Sequence, residues 1–273
     1  MHHVTAHGAR IPALGLGTFR LTGEVCSAMV GHALEVGYRH IDTAQMYGNE
    51  REVGHGIAAS PAPRDEIWLT TKIWPDQFEP DDLRRAAEES MRRLGTEPDL
   101  LLLHWPSRSV PLAGTIRALN QVRRDRMTRH IGISNFTTRL IEQAWSLTEE
   151  PLVADQVEYH PYLDQAAVLE AARTRGMALI AYSPIAQGKV FREPALQRIG
   201  QRHGKTPGQV ALRWLLQQDG VAAIPRSSRP ANVAANFQVF DFELSGPEMS
   251  EVGGLGSRSG RLVDPAGVAP DWD

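Results

Sequence analysis

Four polar residues, Asp42, Tyr47, Lys72 and His104, fall at the ends of short β-rich runs and together compose an acid catalyst. They stand in His40-Ile41-Asp42-Thr43-Ala44-Gln45-Met46-Tyr47-Gly48, in Leu69-Thr70-Thr71-Lys72-Ile73-Trp74 and in Leu101-Leu102-Leu103-His104-Trp105-Pro106. A free phenol, with a pKa of about 10, releases its proton poorly at neutral pH, and a lysine ammonium beside it is expected to stabilise the phenolate and lower that value. An aspartate would hold the lysine in place, and a histidine would orient the group being protonated. Singly, each residue has a plainer reading: a structural ion pair for Asp42 and Lys72, a helix-start residue for Tyr47, a satisfied core histidine for His104. Jointly, four complementary types at strand ends point to carbonyl reduction. Side chains do not supply hydride, so a nicotinamide cofactor is the expected donor. Trp74 and Trp105, beside the lysine and the histidine, are expected to wall an apolar substrate pocket.

The elements that must position these residues read as alternating strands and helices. Candidate strands are Gly15 to Thr18, Arg39 to Asp42, Ile67 to Lys72, Leu100 to His104, His130 to Ser134, Val153 to Glu158, Ala178 to Ser183 and Val221 to Pro225. Helical patterns lie between them at Val25 to Glu35, Glu50 to Ala58, Asp81 to Leu94, Leu112 to Arg124, Thr138 to Ser146, Gln165 to Arg175 and Pro207 to Gln217. Eight such strands, with no long polar linker, predict an α/β fold: a closed (β/α)8 TIM barrel forming a single domain over residues 1–273. Gly37, Gly95 and Gly176 follow helical stretches as C-terminal caps would. Val4 to Ile11 has turn chemistry between two short β runs and predicts an N-terminal hairpin closing the bottom of the barrel. All four opening residues then lie at the C-terminal face, where barrel enzymes build their sites.

Composition narrows the partners. A formal net charge of −3, with both signs interspersed, gives no electrostatic basis for a nucleic-acid or membrane partner. The single cysteine, Cys26, has no intramolecular disulfide partner and reads as filler in a helical pattern. No secretory pattern opens the chain, so a cytoplasmic location is expected. No helix carries paired metal-ligating histidines, so no metal is expected; His2, His3, His7, His55, His130 and His203 read as surface or ordinarily bonded residues. Gly15-Leu16-Gly17-Thr18-Phe19-Arg20 fails the dinucleotide fingerprint, and Gly200 to Thr206 is one residue short of a phosphate loop with no strand leading into it. Ile131 to Phe136 lacks the second glycine of a nucleophile elbow.

The sequence resembles the aldo-keto reductase superfamily over essentially its whole length. The motifs that carry the resemblance are Gly15-Leu16-Gly17-Thr18, Asp42 to Glu50, Thr71-Lys72-Ile73-Trp74, Leu103-His104-Trp105-Pro106, Gly132 to Phe136 and Ile224-Pro225-Arg226-Ser227. Arg261-Leu262-Val263 and Ala269 to Asp273 are most similar to the bacterial 2,5-diketogluconate reductase B branch, which also reduces methylglyoxal. The resemblance implies Tyr47 as proton donor, Lys72 and Asp42 as its tuning pair, and His104 as the residue orienting the carbonyl. It implies Ser134, Asn135 and Gln156 at the nicotinamide carboxamide, Tyr182 stacked under the ring, and Thr18 with Asp42 near the ribose. Ser183, Pro184, Ile185, Gln187 and Gly188 match the pyrophosphate loop. Arg226, Ser227, Ser228 and Arg229 match the pocket for an adenosine 2′-phosphate, with Asn232 and Asn236 beyond it. Two arginines with hydroxyls suit a dianionic phosphate, so NADPH is preferred to NADH.

Three positions and one segment depart from the family pattern. Arg226 replaces the usual lysine, Asn232 stands where an arginine commonly contacts the adenosine, and Ala235 stands where a glutamate often meets the adenine. The segment Ser107 to Leu112 is short, which favours small or hydrophilic carbonyl substrates at a pocket of Phe19, Tyr47, Trp74, His104 and Trp105. A closed barrel has no open sheet edge, so a monomer is expected. Two other readings remain: a lyase or isomerase forming a Schiff base on Lys72, and a catalytically silent nicotinamide-binding regulatory subunit.

Overall fold

Parallel strands buried on both faces need near-continuous apolar sequence, and β-rich runs of that kind account for the centre of this molecule. The computed structural model describes residues 2–273. Two short strands, β1 (His3–Ala6) and β2 (Ala9–Pro12), form an antiparallel hairpin. His7 and Gly8 at its tip both take positive φ, 45° and 83°, which suits a tight two-residue turn. Then come β3 (Leu16–Gly17), β4 (His40–Asp42), β5 (Trp68–Ile73), β6 (Leu100–Leu103), β7 (His130–Ser134), β8 (Leu152–Glu158), β9 (Ala178–Tyr182) and β10 (Val221–Ala223). These eight pair in parallel in chain order. Every residue of β5 and β8 is buried.

The sheet curls until its first and last strands meet. Leu14 bridges Ala223 in parallel, the Gly15 amide donates to the Ala223 carbonyl (2.9 Å) and the Gly17 amide donates to the Pro225 carbonyl (3.0 Å). A Cβ at Gly17 would stand 2.9 Å from the Ile224 carbonyl oxygen, so the seam requires glycine there. The hairpin lies at the strands' N-terminal end, where the Pro12 carbonyl accepts from His40 Nδ1 (3.1 Å) and the Arg175 carbonyl accepts from His7 Nε2 (2.7 Å).

Around the strands run α1 (Gly23–Val36), α2 (Glu50–Ala58), α3 (Pro80–Leu94), α4 (Leu112–Arg124), α5 (Thr138–Leu147), α6 (Ala166–Thr174), α7 (Pro194–His203), α8 (Pro207–Leu216), α9 (Pro230–Phe237) and α10 (Gly246–Gly253). The helical pattern foresees α1 to α6 and α8 but not α7, α9 and α10. Each of these three is short and opens on proline at its first or second position, and prolines and glycines read as loop until the caps are recognised. The Ser245–Glu248 capping box that opens α10 was nonetheless present in the sequence. Gly200 to Thr206, rejected as a phosphate loop, is the joint between α7 and α8. Gly204 caps α7 at φ 64°, and Thr206 forms a capping box with Gln209. The sequence also reads β3 and β10 too long at their C-terminal ends, where the chain turns into loops.

Candidate active site

Strand register brings the charged pair together. Asp42 ends β4 opposite Thr70, and Lys72 follows two residues on along β5, on the same face. Both are fully buried. Lys72 Nζ donates to Asp42 Oδ1 at 2.6 Å and to the Thr43 carbonyl at 2.8 Å, and it lies 3.4 Å from the Tyr47 hydroxyl. Asp42 Oδ2 accepts from Gln156 Nε2 at 2.7 Å. Each oxygen of the carboxylate is thereby engaged, as a buried charge demands.

Tyr47 closes a 3₁₀ turn (Gln45–Tyr47) that follows β4, and Gly48 at φ 68° ends that turn. The phenol ring is partly exposed and faces two rings and one ammonium. The Phe19 ring is 5.0 Å away and the His104 ring 5.7 Å away, with Lys72 Nζ 5.0 Å from the Tyr47 centroid. Trp74 sets its ring edge-on to His104 at 5.1 Å. His104 is buried, and its Nδ1 has no partner among the described residues.

Electrostatics correct one expectation. Burial, then the Asp42 carboxylate, hold the Tyr47 hydroxyl well above its ordinary value of 10.0 rather than below it. Lys72 does not reverse this, because its ammonium is already paired with Asp42. Burial also lowers Lys72, with Asp42 and then Glu50 opposing that shift. Burial and the neighbouring Lys72 charge push His104 well below 6.5, so its imidazole is neutral at physiological pH. The resting site therefore presents a protonated phenol, a paired ammonium and a neutral ring.

A second polar set adjoins the first. Ser134 ends β7 and donates through Oγ to the Gln156 carbonyl at 2.7 Å. Asn135, held at φ 62°, donates through Nδ2 to the His104 carbonyl (2.9 Å) and to Ser134 Oγ (3.1 Å). Tyr182 ends β9 and donates to Asn135 Oδ1 at 2.7 Å. Thr18 donates through Oγ1 to the Asp42 carbonyl at 2.9 Å. One bonded network thus joins Thr18, Asp42, Lys72, Tyr47, Gln156, Ser134, Asn135, Tyr182 and the His104 backbone.

The remaining expected residues sit around this network. Ser183, Pro184, Ile185, Gln187 and Gly188 form the loop after β9, with Ser183, Ala186, Gln187 and Gly188 all at positive φ. Arg226 to Arg229 form the loop after β10, and Asn232 and Asn236 lie on α9. Arg226, Ser228, Arg229 and Asn232 are exposed, whereas Ser227 is buried and its Oγ accepts from the Arg229 amide at 3.1 Å. Phe19 is 44% exposed, yet Trp105 is only 4% exposed and packs against Trp272 at 6.1 Å. The C-terminal tail thus covers Trp105, leaving Phe19, Tyr47 and Trp74 as the accessible aromatics of the expected pocket. Cys26 is buried, and burial pushes its thiol up to about 12, consistent with filler.

Sequence reasoning missed two contributors. Glu50 is buried behind the lysine strand, accepting from Thr71 Oγ1 at 2.6 Å and from Arg93 Nε at 2.7 Å. Its place in the Asp42-to-Glu50 motif was the available signal, but an acid at a helix start reads as dipole chemistry. The Thr43 carbonyl carries no side-chain signal at all. Among the described residues no group of histidine, cysteine, aspartate and glutamate is arranged to hold a metal, and no helix is long and apolar enough to cross a membrane.

Comparison with known proteins identifies the family. Residues 13–256 match the family model described as Aldo/keto reductase family. The methylglyoxal reductase DkgB of Salmonella typhi is 40% identical over 267 residues, covering 96% of this chain and 99% of that protein. A crystal structure described as a candidate 2,5-diketo-D-gluconic acid reductase B superposes with a TM-score of 0.98 at 51% identity, covering 100% of this chain and 98% of that one. MGS-M4, an aldo-keto reductase from a Medee basin deep-sea metagenome library, superposes at 0.91 with 31% identity and complete coverage of both chains. Eight parallel strands with an N-terminal hairpin, a buried Asp42–Lys72 pair under Tyr47, and these matches lead to one conclusion: the chain belongs to the aldo/keto reductases, a family of NADP-dependent oxidoreductases.

Proposed function

We propose that this protein reduces small aldehydes and ketones to alcohols, dicarbonyls such as methylglyoxal or keto-sugars such as 2,5-diketogluconate, with NADPH preferred to NADH. The observation that carries this reading is Lys72 Nζ held 2.6 Å from Asp42 Oδ1 and 3.4 Å from the Tyr47 hydroxyl, at the C-terminal face of the barrel. The residues present fit a nicotinamide dinucleotide. Ser134, Asn135 and Gln156 offer amide and hydroxyl groups beside the partly exposed ring of Tyr182. The left-handed residues from Ser183 to Gly188 make a backbone able to turn N–H groups toward an anion. Arg226, Ser227, Ser228 and Arg229 bring two guanidiniums and two hydroxyls suited to a 2′-phosphate. When bound, the reduced nicotinamide supplies hydride to the carbonyl carbon.

The chain's own residues do the rest. Neutral His104 donates an N–H to the substrate oxygen and fixes its direction. Tyr47 then gives its proton to the oxygen as negative charge develops there. A phenol raised by burial still does this, because an alkoxide is a much stronger base than a phenolate. Lys72 stabilises the phenolate that remains, and Asp42 keeps Lys72 charged and in register. Phe19 and Trp74 exclude water from the reacting atoms. Lys72 acting as a Schiff-base nucleophile is disfavoured, since the Asp42 carboxylate holds the amine as an ammonium. The complete catalytic set argues against a silent subunit. The barrel is proposed to act as a cytoplasmic monomer and as a single domain over residues 1–273.

Tyr47→Phe tests the reading. Turnover of methylglyoxal with NADPH is expected to fall by at least about 100-fold, the usual share of general acid catalysis, with cofactor binding by fluorescence quenching unchanged. Turnover equal to the parent's would refute the assignment of Tyr47.

A further inference from the structure

Phe19 stands beside the proposed proton donor, in a turn that its own segment closes with one bond, from the Leu21 amide to the Thr18 carbonyl (2.9 Å). Its ring is 44% exposed and 5.0 Å from that of Tyr47. The flanks of its turn are fixed by Asn49, whose Nδ2 donates to the Thr18 and Leu21 carbonyls, each at 2.9 Å. The crown is different. Arg20 takes φ 59°, a left-handed conformation that costs a non-glycine residue energy, and its guanidinium lies over the Phe19 ring at 5.1 Å.

A second hold, on the two carbonyls of the crown itself, comes from 207 and 206 residues away in sequence. Arg226 Nε donates to the Phe19 carbonyl and Arg226 Nη2 donates to the Arg20 carbonyl, both at 3.1 Å. These are the last rungs of the barrel seam, directly beyond the Gly17–Pro225 bond. One edge of a planar guanidinium reaches two adjacent carbonyls at once, and a lysine ammonium has no equivalent fork. Among the described residues the other guanidinium nitrogen has no partner, so it stays available to a cofactor phosphate.

We propose that Arg226 is a positioning residue for the substrate pocket as well as a cofactor contact. It clamps the Phe19–Arg20 turn and so sets the wall against which a small carbonyl compound is held beside Tyr47. This rests on the carbonyl-reductase reading. It also gives a reason for arginine here instead of lysine: lysine would keep the charge for a phosphate but lose the two-carbonyl clamp.

Steady-state kinetics with methylglyoxal as probe, on folded protein checked by thermal melting, separate the two roles. At saturating NADPH, Arg226→Lys is expected to raise the methylglyoxal KM about tenfold, equivalent to about 1.4 kcal/mol, with kcat nearly unchanged and the NADPH KM little affected. Arg226→Ala should raise both Michaelis constants. Phe19→Ala should raise the methylglyoxal KM by itself, and adding Arg226→Lys to it should raise it no further, because both act through one wall. A methylglyoxal KM in Arg226→Lys equal to the parent's, or multiplicative effects in the double variant, would overturn the clamp. If the parent oxidises no NADPH with methylglyoxal or any of a panel of aldehydes and ketones, the carbonyl-reductase reading itself fails. An active parent with an unaffected Arg226→Lys variant defeats the clamp alone.

Discussion

A lysine without access to water is tolerable here because every direction around its ammonium is filled: Asp42, the Thr43 carbonyl and Tyr47. His104 is solved differently, by staying neutral, and His40 shares that state, its pKa likewise lowered first by burial. The consequence for stability has a definite sign. Below the ordinary value of 6.5 the unfolded chain takes protons on these rings that the folded chain refuses, so stability falls as pH drops, by up to about 1.4 kcal/mol per pH unit for each ring. His104→Gln should therefore flatten the loss of melting temperature between about pH 7.5 and pH 5.5. Parallel curves for parent and variant would mean that the ring protonates in the folded state. At this scale the residue types were legible in the sequence. The pKa direction of Tyr47 was not, because it depends on burial and on how completely Asp42 claims Lys72.

Elements position the site through close backbone approach as much as through charge. Helix α2 carries Glu50 to its contact with Thr71 and packs on α1, where a Cβ at Gly56 would stand 2.6 Å from the Ser27 carbonyl and 2.7 Å from Val30 Cβ. Gly56→Ala is thus expected to force the two helices apart and cost about 1–3 kcal/mol, read from urea unfolding. A midpoint equal to the parent's would show that the interface yields without cost. Seven of the ten helices follow from apolar periodicity. The other three have eight to ten residues each and are fixed by caps and packing, which a periodicity window cannot resolve.

Across the whole molecule, the tail after Arg261 is strapped over the C-terminal face. The buried Glu158 carboxylate accepts from the Leu262 amide (2.8 Å), the Val263 amide (3.0 Å) and His160 Nε2 (3.0 Å). The Arg261 guanidinium carbon lies 3.4 Å from the Trp272 ring centroid, and Asp273 accepts from the Thr138 amide at 2.7 Å. Glu158→Gln weakens the first of these anchors, because it removes the charge and turns one of the two acceptor oxygens into an NH2 donor that faces a backbone N–H. Trypsin should then cleave after Arg261 faster than in the parent, as followed by intact mass. Unchanged cleavage would place the tail's stability in its aromatic contacts and in Asp273.

The sequence by itself determined the chemistry on offer and the alternation that delivers it. Asp42, Tyr47, Lys72 and His104 each lie at or just beyond the C-terminal end of a strand, and strands in parallel order must present such residues on one face. What only the tertiary structure decided are the pairings between distant segments: Gln156 with Asp42, Arg226 with the Phe19–Arg20 turn, Glu158 with the tail. Local patterns report which face of an element is apolar. They carry no information about which of many polar groups meet across a closed barrel, since that is settled by how strand register and seam closure bring the ends together.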